Sequence, residues 1–146
     1  METLTFALAV VAYAGLAVAA TLAGFGSSGP RRRLLRVTAL VVSAHVLLVW
    51  AVRYNWQFEA ATRNGLVPFL VFHTALMLII AAALVADPWA RTLVRIAFPI
   101  VSLGAIGAVL TRDAVTHYRL PVIALAAFGL TGMVRQALRR PTRPFA

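Results

Sequence analysis

Long apolar runs broken by short polar, Arg-containing segments are the main pattern of the chain. Five runs stand out: Leu4–Phe25, Leu34–Val52, Leu66–Ala86, Leu93–Leu110 and Leu120–Ala137. Each is close to the ~20 residues a helix needs to cross a ~30 Å hydrocarbon layer. They are too long for strands and show no alternation of apolar and polar positions. A helix also satisfies its own backbone groups, which lipid cannot do. The pattern therefore predicts an all-α integral membrane bundle of five transmembrane helices, forming one transmembrane domain over residues 1–146. The first run resembles a secretory signal only superficially. Its leading flank carries Glu2 and no positive charge, and its apolar part exceeds the usual length, so a retained helix is expected.

The punctuation agrees with these boundaries. Gly26-Ser27-Ser28-Gly29-Pro30 and Arg31, Arg32, Arg33 and Arg36 read as the first linker. Arg53 to Arg63 reads as the second, Asp87-Pro88-Trp89-Ala90-Arg91 as a tight third, and Arg112 to Arg119 as the fourth. Pro68 and Pro121 fall in predicted first turns, where a missing N–H costs least. Pro99 falls about a turn and a half into the fourth run, where a kink is expected. Trp50, Tyr54, Trp56 and Tyr118 gather at one predicted interface and Trp89 at the other, as amphipathic rings do at headgroup level.

Composition strengthens the membrane reading. Of 146 residues, 62% are apolar and 12% charged, with a mean hydropathy of +0.88. A soluble domain is nearer half apolar and a quarter charged. The net charge of +10 comes from fourteen basic residues, all Arg, set in clusters between apolar runs. They orient helices rather than form a phosphate-tracking face, so no nucleic-acid partner is expected. Grouping the first linker, third linker and tail places ten Arg on one side against four on the other. The positive-inside rule then puts the N-terminus outside and the C-terminus in the cytoplasm. The lipid bilayer is the expected partner, with a larger membrane complex or further copies of the chain.

Chemistry-bearing residues are few. The absence of cysteine removes disulfides, thiolate metal sites and cysteine nucleophiles. No carboxylate lies deep in a run, and neither a phosphate loop nor a nucleophile elbow is present, so an enzyme is not the favoured reading. His45 and His73 remain as ionisable groups inside membrane helices. Both fall ~10–12 Å below the same helix ends at ~1.5 Å per residue, on runs joined by a short connection. His117 belongs to the same half. Level imidazoles suit haem b ligation, or copper with Met77 and His117 adding ligands. Helices packed at ~8–10 Å leave little room for a haem between them. The alternative is that each imidazole hydrogen-bonds a Ser, Thr or carbonyl on a neighbouring helix, Thr38 sharing the His45 face, and that Met77 is core. A third is contact with another protein's cofactor. Arg53 reads as a snorkelling interface residue. Gly15, Ala19 and Ala23, and Gly104 and Ala108 with Gly107 and Thr111 on an adjacent line, have the spacing of close helix packing.

Three segments carry a resemblance: Arg33-Leu34-Leu35-Arg36-Val37-Thr38-Ala39, Phe69-Leu70-Val71-Phe72-His73-Thr74-Ala75-Leu76 and Arg95-Ile96-Ala97-Phe98-Pro99-Ile100-Val101-Ser102. Across residues 5–112 the chain resembles small bacterial and archaeal membrane proteins of unknown function linked to haem–copper cytochrome oxidase assembly. In that family a His lies within the helix matching His73, and a basic residue, an aromatic and a proline open the next. Its further histidines are replaced here by Arg32 and Arg91. The resemblance implies a respiratory-chain accessory or assembly role, with His45 and His73 toward haem or metal. Two other readings follow from the residues: a small b-type cytochrome or quinone-interacting anchor with His45 and His73 as axial ligands, and a purely structural subunit of a larger complex.

Overall fold

A computed structural model describes residues 2–22, 28–111 and 113–138. The described residues form α1 (Glu2–Leu22), α2 (Ser28–Val52), a short α3 (Phe58–Thr62), α4 (Leu66–Leu84), α5 (Asp87–Thr111), a 3₁₀ turn (Asp113–Tyr118) and α6 (Arg119–Leu138), with no strand among them. Five of these helices are long and apolar enough to cross a membrane. The architecture is the expected all-α, multi-pass bundle.

Two helices start earlier than the apolar pattern implies. α2 begins at Ser28 and absorbs the Arg cluster, and α5 begins at Asp87 and absorbs the supposed third linker. Both segments carry a proline, Pro30 and Pro88, which looks like a linker signal. In each case it sits in the first turn, where the backbone N–H has no intrahelical acceptor to lose. Asp87 also places a negative charge at the positive end of α5. Val85 and Ala86 alone connect α4 to α5, and the Ala90 N–H reaches back to the Ala86 carbonyl at 3.0 Å. Pro99 consequently lies near the middle of α5, deeper than expected. Pro68 and Pro121 fall in first turns as expected.

The long helices form a ring in the order α2–α1–α6–α5–α4 and back to α2, with α1 and α5 in contact across it. These two helices supply most of the core: Leu16, Ala17, Ala19 and Ala20 from α1, and Val94, Ala97 and Phe98 from α5. Small residues decide how closely the backbones approach. A Cβ on Gly15 would run into Thr38 of α2, one on Gly129 into the Phe98 ring, and one on Gly132 would lie 2.9 Å from the Thr21 Cα. Gly15 and Ala19 thus mark a real packing line, whereas Ala23 lies outside the described residues. On α5 only half of the expected line packs. Gly104 receives Phe72, but Gly107 has nothing within 4 Å and Thr111 is exposed.

Polar contacts pin the two ends and the middle. The bundle has one end carrying the 53–65 connection, the hairpin end, and an opposite end carrying Asp87. In the middle, Tyr13 and Phe98 stack with ring centroids 5.8 Å apart. At the Asp87 end, Arg31 of α2 pairs with Asp87 of α5, and Gln136 of α6 donates to the carbonyls of Ala20 and Thr21 at 2.9 and 2.6 Å. At the hairpin end, Arg119 Nε donates to the Val109 carbonyl at 2.8 Å.

Candidate functional site

The hairpin end of α2 and α4 collects the chemistry-bearing side chains. α2 stops through backbone bonds from Arg53 to Val49 (2.9 Å) and from Trp56 to Trp50 (3.0 Å). The chain then turns with Asn55 at φ 45° and Trp56 at φ 60°. Asn tolerates the left-handed region; a bulky Trp rarely adopts it. Here the ring it carries stacks on Trp50, 6.3 Å away. Trp50 is the hub of this end. It also meets Tyr54 edge-on at 6.0 Å, Phe69 at 6.1 Å and His73 at 6.2 Å. Phe69 stacks on His73 at 3.9 Å and takes Phe58 edge-on at 5.3 Å.

His73 is held within this cluster. Its Nδ1 lies 2.8 Å from the Phe69 carbonyl, one turn earlier in α4. A carbonyl only accepts, so Nδ1 carries the proton. Nε2 is then the acceptor for the Trp50 indole N–H, at a long 3.4 Å. His45 follows the same rule with a different neighbour. Its Nδ1 donates to the Thr5 carbonyl of α1 at 2.8 Å, which leaves Nε2 as a lone pair. Beside it lies a cavity of about 40 Å³ lined by Thr5, Phe6, His45, Val49, Val52 and Arg53, space on the scale of a water molecule.

The two intramembrane histidines are therefore at the same end of the bundle but at different interfaces. His45 faces α1, and His73 faces Trp50 of α2. His45 thus bonds a carbonyl on a neighbouring helix, while Thr38, on the same face of α2, packs against Gly15 and is buried. Met77 is 56% exposed; it points outward from α4 and is not core. His117 is exposed and rests on Tyr118, 4.1 Å between centroids. The side chains considered as one metal set, His45, His73, Met77 and His117, are thus spread over α2, α4 and the 3₁₀ turn. No group of three or more His, Asp or Glu is close enough to hold a metal among the described residues. A porphyrin does not fit the cavity beside His45, and the indole of Trp50 occupies the inner edge of His73.

Trp50 and Thr5 were not foreseen as site residues. The first was legible as an interface aromatic, and its i+3 and i+4 spacing from Arg53 and Tyr54 marks the end of a helix. Nothing in the chain signals that a backbone carbonyl of residue 5 meets residue 45. Comparison with protein-family models, with curated proteins and with solved structures returns no match.

Proposed function

We propose that this is a small accessory or assembly protein of a respiratory, haem–copper-oxidase-like complex in a prokaryotic cell membrane, with the N-terminus outside and the C-terminus in the cytoplasm. The observation that carries this reading is the shared state of the two histidines. Each is fixed through Nδ1–H to a backbone carbonyl, the arrangement that second-shell groups impose on ligating imidazoles. Each is fixed at a separate interface. Separate, oriented imidazoles favour individual contacts to a partner over a shared axial pair, so the b-type cytochrome reading ranks below it. The resembling segments around His73 and Pro99 and the ten-to-four Arg distribution support the same reading.

A purely structural subunit is the second reading. It is favoured by the fact that both ring bonds from Nδ1 close within the chain. One preparation separates the two. The tagged protein is extracted in a mild detergent from its own membranes, and its partners, metal content and visible spectrum are measured. The accessory reading expects oxidase subunits to co-purify, and His45→Ala or His73→Ala to lower the haem or copper loading of the oxidase while the bundle stays folded. The structural reading expects co-purification with loading unchanged. Purification without a partner under conditions that preserve the oxidase would refute both. Reporter fusions within the 53–65 connection and after Arg140 test orientation; an external signal after Arg140 contradicts it.

A further inference from the structure

The Asp87 end holds an imbalance of charge that the proposed function does not use. Arg31, in the first turn of α2, is 2% exposed and pairs with Asp87 at the start of α5. Arg91 lies one helical turn beyond Asp87 on α5, Arg32 adjoins Arg31 on α2, and both act electrostatically on Asp87. Three guanidiniums thus share the neighbourhood of one carboxylate. A single carboxylate cannot neutralise three cations, and Nε of Arg91 is buried without a hydrogen-bond acceptor. A buried guanidinium N–H left unmade is costly, and most such groups in folded proteins have a partner. The missing partner must be an acceptor, and the excess of positive charge favours an anion.

The surroundings say what kind of anion. Trp89, 69% exposed, lies two residues before Arg91, where an amphipathic ring marks headgroup level. From Arg32 the exposed surface of α2 continues through Arg33, Arg36, Val37, Leu40, Ala44 and Leu47 at helical spacing, turned away from the buried Arg31. It is basic at the Asp87 end and apolar beyond. A ligand that matches this order has an anionic head and a hydrocarbon body. Guanidiniums bind phosphate oxygens in bidentate fashion, and basic pockets between membrane helices take anionic headgroups.

We propose that Arg31, Arg32 and Arg91 around Asp87 form a binding site for the phosphodiester headgroup of an anionic phospholipid, whose acyl chains lie against the exposed apolar surface of α2 that begins beside Arg32. Asp87 acts as an internal anion that organises the guanidiniums and competes with the phosphate. The site requires only that the chain lie in a membrane. It is independent of which face is cytoplasmic and of any respiratory partner.

The full-length protein in a neutral detergent, titrated with phosphatidylglycerol or with phosphatidylcholine of the same acyl chains and read by native mass spectrometry, tests this. Phosphatidylglycerol should bind at least about tenfold more tightly. Arg32→Gln and Arg91→Gln should each weaken it about fivefold, the effect of one basic residue near a charged surface. Asp87→Asn should strengthen it, which loss of a merely structural ion pair would not do. Arg53→Gln with Arg63→Gln, at the opposite end, should leave binding unchanged. Arg32 is exposed, so Arg32→Gln reads the site even where Arg91→Gln disturbs folding. Equal affinity for the two lipids, or an equal loss from the Arg53 and Arg63 pair, would overturn the proposal. Displacement of phosphatidylglycerol by equimolar inorganic phosphate would overturn the lipid assignment in favour of a free-anion site.

Discussion

The Tyr13 hydroxyl donates to Ser102 Oγ at 2.8 Å, and Ser102 passes its own proton to the Phe98 carbonyl at 2.8 Å. This chain crosses from α1 to α5, the two helices that face each other across the ring. Both side chains are buried, so no water competes for the bonds. Interhelical hydrogen bonds in membranes average about 0.6 kcal/mol and reach about 1.7. Tyr13→Phe keeps the stack on Phe98 and removes only the hydroxyl. It should therefore destabilise the bundle by about 1 kcal/mol. Ser102→Ala should cost about the same, and the double variant little more than either. Denaturation in mixed micelles provides the cycle. Strictly additive losses would show that the two hydroxyls are not coupled.

The fold was readable where a single physical requirement acted. Twenty apolar residues in a row have few other uses, so five helices and the first-turn positions of Pro68 and Pro121 followed directly. The helix starts at Ser28 and Asp87 were misplaced because proline and charge mark both linkers and first turns. The site was readable only in part. The sequence spacing put His45 and His73 at one end, but helix rotation decides their neighbours, and that rotation goes with close approaches such as Thr38 of α2 on Gly15 and Phe72 of α4 on Gly104, not with either histidine. The same ignorance of rotation assigned Met77 to the core. The stack of Trp56 on Trp50 goes with a left-handed Trp56, a conformation that nothing in the residue type announces.

The glycines differ sharply in what an added methyl would meet. At Gly132 the obstacle is backbone, the Thr21 Cα at 2.9 Å, and at Gly129 it is the fully buried Phe98 ring. Neither can move aside cheaply. Gly104 meets the Phe72 ring at 2.5 Å, but Phe72 is exposed and can swing outward. Gly107 faces open space. Overpacking costs about 1–3 kcal/mol, and Ala exceeds Gly in helix propensity by up to about 1 kcal/mol. Thermal unfolding in detergent should rank Gly132→Ala and Gly129→Ala as strongly destabilising, Gly104→Ala as mild, and Gly107→Ala as neutral or stabilising. A Gly107→Ala loss equal to that of Gly132→Ala would contradict the packing.

Both intramembrane histidines should carry a proton on Nδ1, because each Nδ1 faces a carbonyl that cannot donate. Nitrogen NMR of histidine-labelled protein distinguishes the two tautomers by which nitrogen couples to a proton. Trp50→Phe should alter the His73 Nε2 signal and leave that of His45 unchanged, since only His73 receives the indole N–H. A bare Nδ1 on either ring would contradict the carbonyl contacts that orient them.

Gln136 joins three helices with one side chain. Its amide donates to the last-turn carbonyls of α1, Ala20 and Thr21, and its oxygen accepts from Arg95 Nη2 of α5 at 3.1 Å. The last carbonyls of a helix lack intrahelical donors, and positive charge is favourable at that end. The Arg95 guanidinium therefore supports α1 through the amide. Gln136→Leu, similar in size, removes donor and acceptor together and should cost about 1–2 kcal/mol, from three lost bonds near the membrane average. Gln136→Glu keeps an acceptor for Arg95 but sets a carboxylate against two carbonyls, so it should rescue little. Arg95→Met should cost less in the Gln136→Leu background than alone. Equal stability of Gln136→Leu and the parent in denaturant titration would show that the α1 carbonyls are satisfied without this residue.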